Sequence, residues 1–190
     1  MSLPRGLYPI LLRFYVTLLA LVVVFNALYI ALITLTTSPI PLPSILIFSY
    51  STVLALFIAG FVASLALLIY LGVGLLRFGY GRGAVPIAMI ILFVIGLMMI
   101  RLNPYASLAL LTIAYIMLAS TYAVLASLTL RRASRWLWRI CMLIILLAVP
   151  IMLTTVGVAE TFKVAPLVVG ALTILASTIE AETITRRMRR

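Results

Sequence analysis

There is no histidine in this chain, no aspartate and no glutamine. The acids are Glu160, Glu180 and Glu182, and one lysine, Lys163, stands beside thirteen arginines. Each absence removes a class of chemistry. Without histidine there is no histidine-ligated haem or metal, and no Ser–His pair for acyl transfer. A single cysteine, Cys141, gives neither an intrachain disulfide nor a thiolate cluster. The apolar runs hold no paired carboxylates, so acid–base hydrolysis in the membrane lacks its groups. Proton relays use chains of Asp, Glu or His, and cation filters use acidic rings or carbonyl loops; neither pattern is present. The expectation is a non-enzyme with no metal or organic cofactor, and proton-coupled transport is disfavoured.

Charge is scarce as well. Only 9% of residues are charged and 66% are hydrophobic, against about 25% and about 45–50% in soluble domains. Apolar runs of about 20 residues span a bilayer. Six occur here, at roughly 14–36, 45–76, 85–100, 105–130, 137–157 and 164–181. The expected fold is all-α: one multi-pass domain over residues 1–190, a compact antiparallel bundle of six transmembrane helices. The first run exceeds the core of a signal peptide, about 7–15 residues, and is kept as a span. The second is long enough to tilt or kink, with Gly60 and Gly72 as soft points. Few amides and one cysteine also match the composition of hyperthermophile proteins.

The connectors are short. Pro39, Pro41 and Pro43 break the first, Gly79, Gly81 and Gly83 loosen the second, and Pro86, Pro104 and Pro166 sit near span starts. With the N-terminus inside, one side of the membrane carries Arg5, Arg13, Arg77, Arg82, Arg131, Arg132, Arg135, Arg139, Arg186, Arg187, Arg189 and Arg190. The other carries Arg101 and Lys163. The positive-inside rule therefore puts both termini in the cytoplasm and reads the net charge of +11 as topology, not as a nucleic-acid footprint. The plasma membrane is the expected location.

The densest polar stretch is "RRASRWLWR", the inner turn between spans four and five. Arg131, Arg132, Arg135, Arg139, Trp136 and Trp138 read as an anchor at headgroup level, with Ser134 as N-cap of span five. A sharper reading is a site for anionic lipid, since guanidinium matches phosphate in a bidentate way. The "RRAS" kinase match is too short to carry weight. Small residues recur every fourth position at Ser51, Ala55, Ala59 and Ala63, and again at Ala119, Ala123 and Ser127. Such rows let helices approach closely in lipid; packing within the bundle is the plainer use, a face for another subunit the sharper one. Asn26, deep in span one, needs a partner: a hydroxyl or carbonyl of a neighbouring span, or a substrate. Glu180 and Glu182 read as the capped inner end of the last span, Glu182 pairing with Arg186 at i,i+4. Arg101 either pairs with Glu160 or snorkels. The glycines of "GVGLLRFGYGRG" follow an apolar helix, not a strand, and so are no nucleotide loop.

The function expected from this balance is a non-catalytic membrane subunit that packs against partner subunits of a larger complex and contacts anionic lipid. The alternative is a small-molecule transporter, or the membrane-embedded substrate-binding component of a multi-subunit importer, with Asn26, Tyr29, Tyr115 and Tyr122 as its polar groups. A lipid-handling role for the inner arginine belt is a third reading. The two halves of the chain show no similarity that would mark an inverted repeat.

Overall fold

The computed structural model describes residues 4–37 and 44–189. The proline connector (Pro39, Pro41 and Pro43) and Arg190 lie outside the described residues. The rest is helical, with no strand among the described residues. The helices are α1 (Tyr8–Thr37), α2 (Ser44–Arg77), α3 (Ala84–Met99), α4 (Pro104–Leu128), α5 (Arg132–Leu143), α6 (Val149–Thr155) and α7 (Val158–Met188). A π-helical turn, Ile144–Ala148, joins α5 to α6, so that Arg132–Thr155 counts as one span, and the described residues hold six helices long and apolar enough to cross a membrane.

Several helices outrun their apolar runs. α1 starts at Tyr8, not 14, α5 starts at Arg132, not 137, and α7 continues to Met188, past 181. Hydropathy marks only the part of a helix in hydrocarbon. Arginine is a good helix former, and nothing in these segments stops the backbone ladder at the interface. At 1.5 Å per residue α1 and α2 are about 45 and about 51 Å long, more than a core of about 30 Å needs.

Each helix packs on the next along the chain, and α7 returns to pack on both α5 and α1. The spans therefore close into a ring. Two devices set its spacing. A Cβ on Gly72 would lie 2.7 Å from the carbonyl oxygen of Gly83, and one on Gly83 would lie 2.5 Å from that of Gly72. Backbone meets backbone there, and the end of α2 is pinned to the start of α3. Gly72 is thus a contact point in an unbroken helix, not a hinge. At the other end of α3, Ser107 Oγ donates to the Gly96 carbonyl at 2.7 Å. Asn103 caps α4, its Oδ1 accepting from Ala106 N at 3.0 Å, with Pro104 opening the helix.

The π turn has a local cause. Val149 N donates to Ile144 O, five residues back. Ile145 O would then need the N–H of residue 150, and residue 150 is proline, which has none. Tyr115 OH from α4 donates to that carbonyl instead.

Burial is uneven. The buried core includes Leu7, Leu11, Phe14 and Tyr15 at the start of the chain, Leu71 and Leu75 late in α2, Val124, Leu125, Ala126 and Leu128 late in α4, Trp138 early in α5, and Ile184 late in α7. All lie toward the arginine-bearing ends of their helices. The opposite half of the bundle is looser, and the α2 side chains Leu54, Leu56, Ile58 and Val62 there are exposed.

Candidate functional site

Above that core the ring surrounds a partly open cavity of about 400 Å³. Every span contributes to its wall: Phe14, Phe25 and Asn26 from α1, Phe61 and Ser64 from α2, Met89 and Phe93 from α3, Thr121 and Tyr122 from α4, Trp138 from α5, and Gly170 and Thr173 from α7, with aliphatic side chains between them. No charged residue lines it. Six of the lining residues are aromatic: Phe14, Phe25, Phe61, Phe93, Tyr122 and Trp138.

The polar lining groups fall into two sets. Ser64 Oγ donates to Gly60 O and Thr121 Oγ1 to Met117 O, each at 2.9 Å within its own helix, so both are satisfied. Trp138 is not. It is 0% exposed, and its Nε1 has no partner among the described residues. Tyr15 stacks on one side of the indole with ring centroids 6.2 Å apart, and Tyr122 tilts against it at 5.8 Å. The Tyr15 hydroxyl is likewise buried without a partner. Thr173 Oγ1 lies beside the Tyr122 hydroxyl and the Cys141 thiol without a well-formed hydrogen bond to either. A buried N–H or hydroxyl left unpaired costs about 1–3 kcal/mol, so these groups mark places where an acceptor is wanted.

Asn26 reaches the cavity through a gap made for it. A Cβ on Gly170 would fall inside its amide, so only glycine on α7 leaves room for Asn26 on α1. Tyr122 lines the same space. Tyr29 does not: it stacks on Phe25 and Phe57. Nor does Tyr115, whose hydroxyl serves the π turn.

The inner turn differs from its sequence reading. Trp136 is 52% exposed, but Trp138 is wholly inside the bundle and so touches no headgroup. α5 presents Arg132, Arg135, Trp136 and Arg139 outward and buries Ser134, Trp138 and Cys141, a face that Ile145 continues into the π turn; the spacings of three and four in each set are those of opposite helix faces. Ser134 is not the N-cap. That position is Arg131, whose side chain makes no cap bond. Glu180 of α7 takes the role. It accepts from Leu130 N at 3.0 Å, Arg131 N at 3.1 Å and Ser134 Oγ at 2.5 Å. Glu180 is 0% exposed, so it does not share the interface with Glu182. Two residues apart on a helix is a rotation of about 200°, and only Glu182 faces outward, where it pairs with Arg186. Arg135 is held by Thr129, through Nε to Oγ1 at 3.5 Å and a terminal nitrogen to the carbonyl at 3.3 Å. Arg139 lies over the Trp136 ring at 5.5 Å.

Two further expectations change. Glu160 pairs with Lys163 at 2.7 Å and not with Arg101; on one helix at i,i+3 the lysine is the nearer cation. In α2 the small-residue row does not pack within the bundle. Ser51, Ala55 and Ala59 are exposed and Ala63 is half-buried. In α4 Ala119 is buried, while Ala123 and Ser127 are exposed.

Among the described residues no three acids or cysteines come together. Comparison with known proteins adds no relative, since no family model, curated protein or solved structure matches this chain.

Proposed function

We propose that this protein is a membrane-embedded binding or carrier protein for a neutral, largely apolar small molecule, placed in the plasma membrane. The observation that carries the reading is the central cavity, lined mostly by apolar and aromatic side chains with no charge in its wall. Ligand sites are typically clefts of about 300–1,000 Å³, mostly apolar with a few placed polar groups, and this cavity meets that description. An ionised ligand entering it would lose its hydration without gaining a counter-charge. The volume is more than twice the roughly 150 Å³ that accommodates benzene in an apolar protein cavity, which sets the size at two or three rings or an equivalent chain.

The test is ligand-dependent thermal stabilisation in lipid nanodiscs. Neutral probes such as 1-naphthol and dodecanol should raise the melting temperature, by an amount corresponding to about 2.7 kcal/mol at a hundredfold excess over Kd. The carboxylates 1-naphthoate and dodecanoate should not. Ser64→Phe or Val169→Phe, which fill the cavity, should abolish the effect. Equal stabilisation by neutral and charged probes, or none by either, would reject the reading.

A subunit role stands beside this one, favoured by the exposed row Ser51, Ala55 and Ala59 and by the open space beside Gly60. A helix of a partner subunit fits such a row closely, and a binding component of an importer needs such a face. Anionic lipid remains a proposed contact of the exposed Arg131 and Arg132. Gentle extraction from native membranes followed by mass spectrometry of co-migrating chains tests the subunit role: stoichiometric partners support it, and migration alone rejects it.

A further inference from the structure

We infer that the cavity selects its ligand through Asn26, and that the ligand is a neutral, largely apolar molecule bearing a carboxamide-type group, with a hydrogen-bond donor and an acceptor side by side. This rests on the cavity being a binding site and adds the chemical class it prefers.

Asn26 is a polar side chain at depth. The first span covers Tyr8–Thr34, and Asn26 lies eight residues before its end, about 12 Å of helix. Hydrocarbon offers no partner there, so an amide needs one from the protein or from a ligand. The protein supplies none: among the described residues the Asn26 amide enters no hydrogen bond. The unpaired side-chain groups that are wholly buried are Tyr15 Oη, Trp138 Nε1, Thr173 Oγ1 and Ser177 Oγ. Neither amide atom of Asn26 is among them, and the residue is half-buried. Both atoms therefore keep open surface, on a residue that lines the cavity.

The amide is also held in place. A Cβ on Gly170 would lie 2.3 Å from Nδ2, 2.6 Å from Oδ1 and 2.9 Å from Cγ, so the amide sits broadside on the backbone of α7. Turning it over exchanges donor and acceptor but keeps the pair. A group fixed before the ligand arrives loses little freedom on binding.

The rest of the wall contrasts with it. Val22, one turn before Asn26, and Pro166 and Val169, beside Gly170, are apolar. Ser64 and Thr121 spend their hydroxyl protons within their own helices. Trp138 Nε1 and Thr173 Oγ1 have no open surface. Among the described lining residues Asn26 alone carries a donor and an acceptor on separate atoms.

That pair sets the class. A carboxamide donates to Oδ1 and accepts from Nδ2 at once. An ester or ether only accepts and leaves Oδ1 without a donor. A hydrocarbon, a lipid chain included, leaves both atoms unpaired. A site built to hydrogen-bond its ligand rejects an analogue that strands its polar groups in this way. A carboxylate would satisfy Nδ2 but bring charge against a wall that has none.

Three probes of similar shape test this in nanodiscs: 1-naphthamide, methyl 1-naphthoate, which only accepts, and 1-ethylnaphthalene, which does neither. Kd is read from thermal stabilisation of the parent protein and of Asn26→Leu, each probe being compared between proteins so that its partition into lipid cancels. Asn26→Leu should weaken 1-naphthamide about tenfold or more, as two hydrogen bonds imply, weaken the ester less, and leave 1-ethylnaphthalene unchanged or tighter. Without ligand it should melt no lower than the parent, because the amide pairs with nothing in the protein. Asn26→Ala serves, on the probe ratios alone, if leucine does not fit beside Gly170. Gly170→Ala, whose Cβ expels the amide, should reproduce the loss for 1-naphthamide with Asn26 intact. Equal weakening of all three probes with a lower melting temperature would make Asn26 a packing residue and overturn the inference. Binding of all three that does not depend on Asn26 would overturn the carboxamide class and leave the cavity reading intact. If no probe stabilises the parent protein, both fail.

Discussion

Ser134 on α5 donates its hydroxyl proton to Glu180 on α7 across 2.5 Å, and the same carboxylate accepts the backbone N–H groups of Leu130 and Arg131. A residue 46 positions away thus does the work of an N-cap. The start of a helix carries partial positive charge and unpaired N–H groups, so a carboxylate is at home there even when buried. The arrangement locks the inner turn to the last span.

Glu180→Ala should therefore be among the most destabilising substitutions in the chain. It strands two backbone donors and one hydroxyl, and each buried unpaired group costs about 1–3 kcal/mol. Ser134→Ala removes one charge-assisted bond and should cost about 1.5–3 kcal/mol. Thermal or denaturant unfolding of the three proteins in one detergent checks the order. Glu182→Ala, which breaks only an exposed i,i+4 pair, should change stability by about 0.5 kcal/mol or less.

Tyr115 and Pro150 form a second testable pair. The tyrosine hydroxyl serves a carbonyl that the proline cannot. Tyr115→Phe should destabilise by about 1–3 kcal/mol, the cost of a buried unsatisfied carbonyl. In a Pro150→Ala background the residue-150 amide returns, and the same tyrosine change should lose most of its effect. A double-mutant cycle reads the coupling directly; additive losses would show that the hydroxyl does not compensate for the proline.

Glycine substitutions along α2 should separate contact from propensity. Gly72→Ala forces its Cβ within 2.7 Å of the Gly83 carbonyl oxygen and should cost about 1–3 kcal/mol by overpacking. A Cβ on Gly60 would have nothing within 4 Å, so Gly60→Ala should be neutral or stabilise by up to about 1 kcal/mol through helix propensity. Unfolding midpoints of the two variants suffice.

Charge at the inner turn should affect lipid contact but not the bundle. Arg131 and Arg132 are exposed and no ion pair holds them among the described residues. Arg131→Ala with Arg132→Ala should leave the unfolding midpoint unchanged while reducing retention of phosphatidylglycerol in native mass spectra. That retention should fall with added salt in the parent protein, as expected of screened surface charge.

The two faces of α5 were legible in the sequence in principle. Arg132, Arg135, Trp136 and Arg139 repeat at helical spacing, and so do Ser134, Trp138, Cys141 and Ile145, which separates the two tryptophans. Reading "RRASRWLWR" as one cluster obscured this, because proximity in sequence is not proximity on a helix. The same geometry separates Glu180 from Glu182. No such local signal identifies Gly170 as the partner of Asn26, or Tyr115 as the partner of Ile145. Those pairings join residues 144 and 30 positions apart, and they depend on which helices meet and at what height.

The sequence by itself determined the class of the molecule. Long apolar runs leave the backbone no partner in lipid but itself, so six helices follow from composition alone, and short connectors make consecutive helices neighbours. Tertiary structure decided what those helices enclose. The return of α7 onto α1 closes the ring, places one carboxylate at the start of α5, turns one tryptophan inward and leaves a cavity without charge at the centre. These outcomes rest on packing between residues far apart in the chain, where shape complementarity, and not hydropathy, selects the partner.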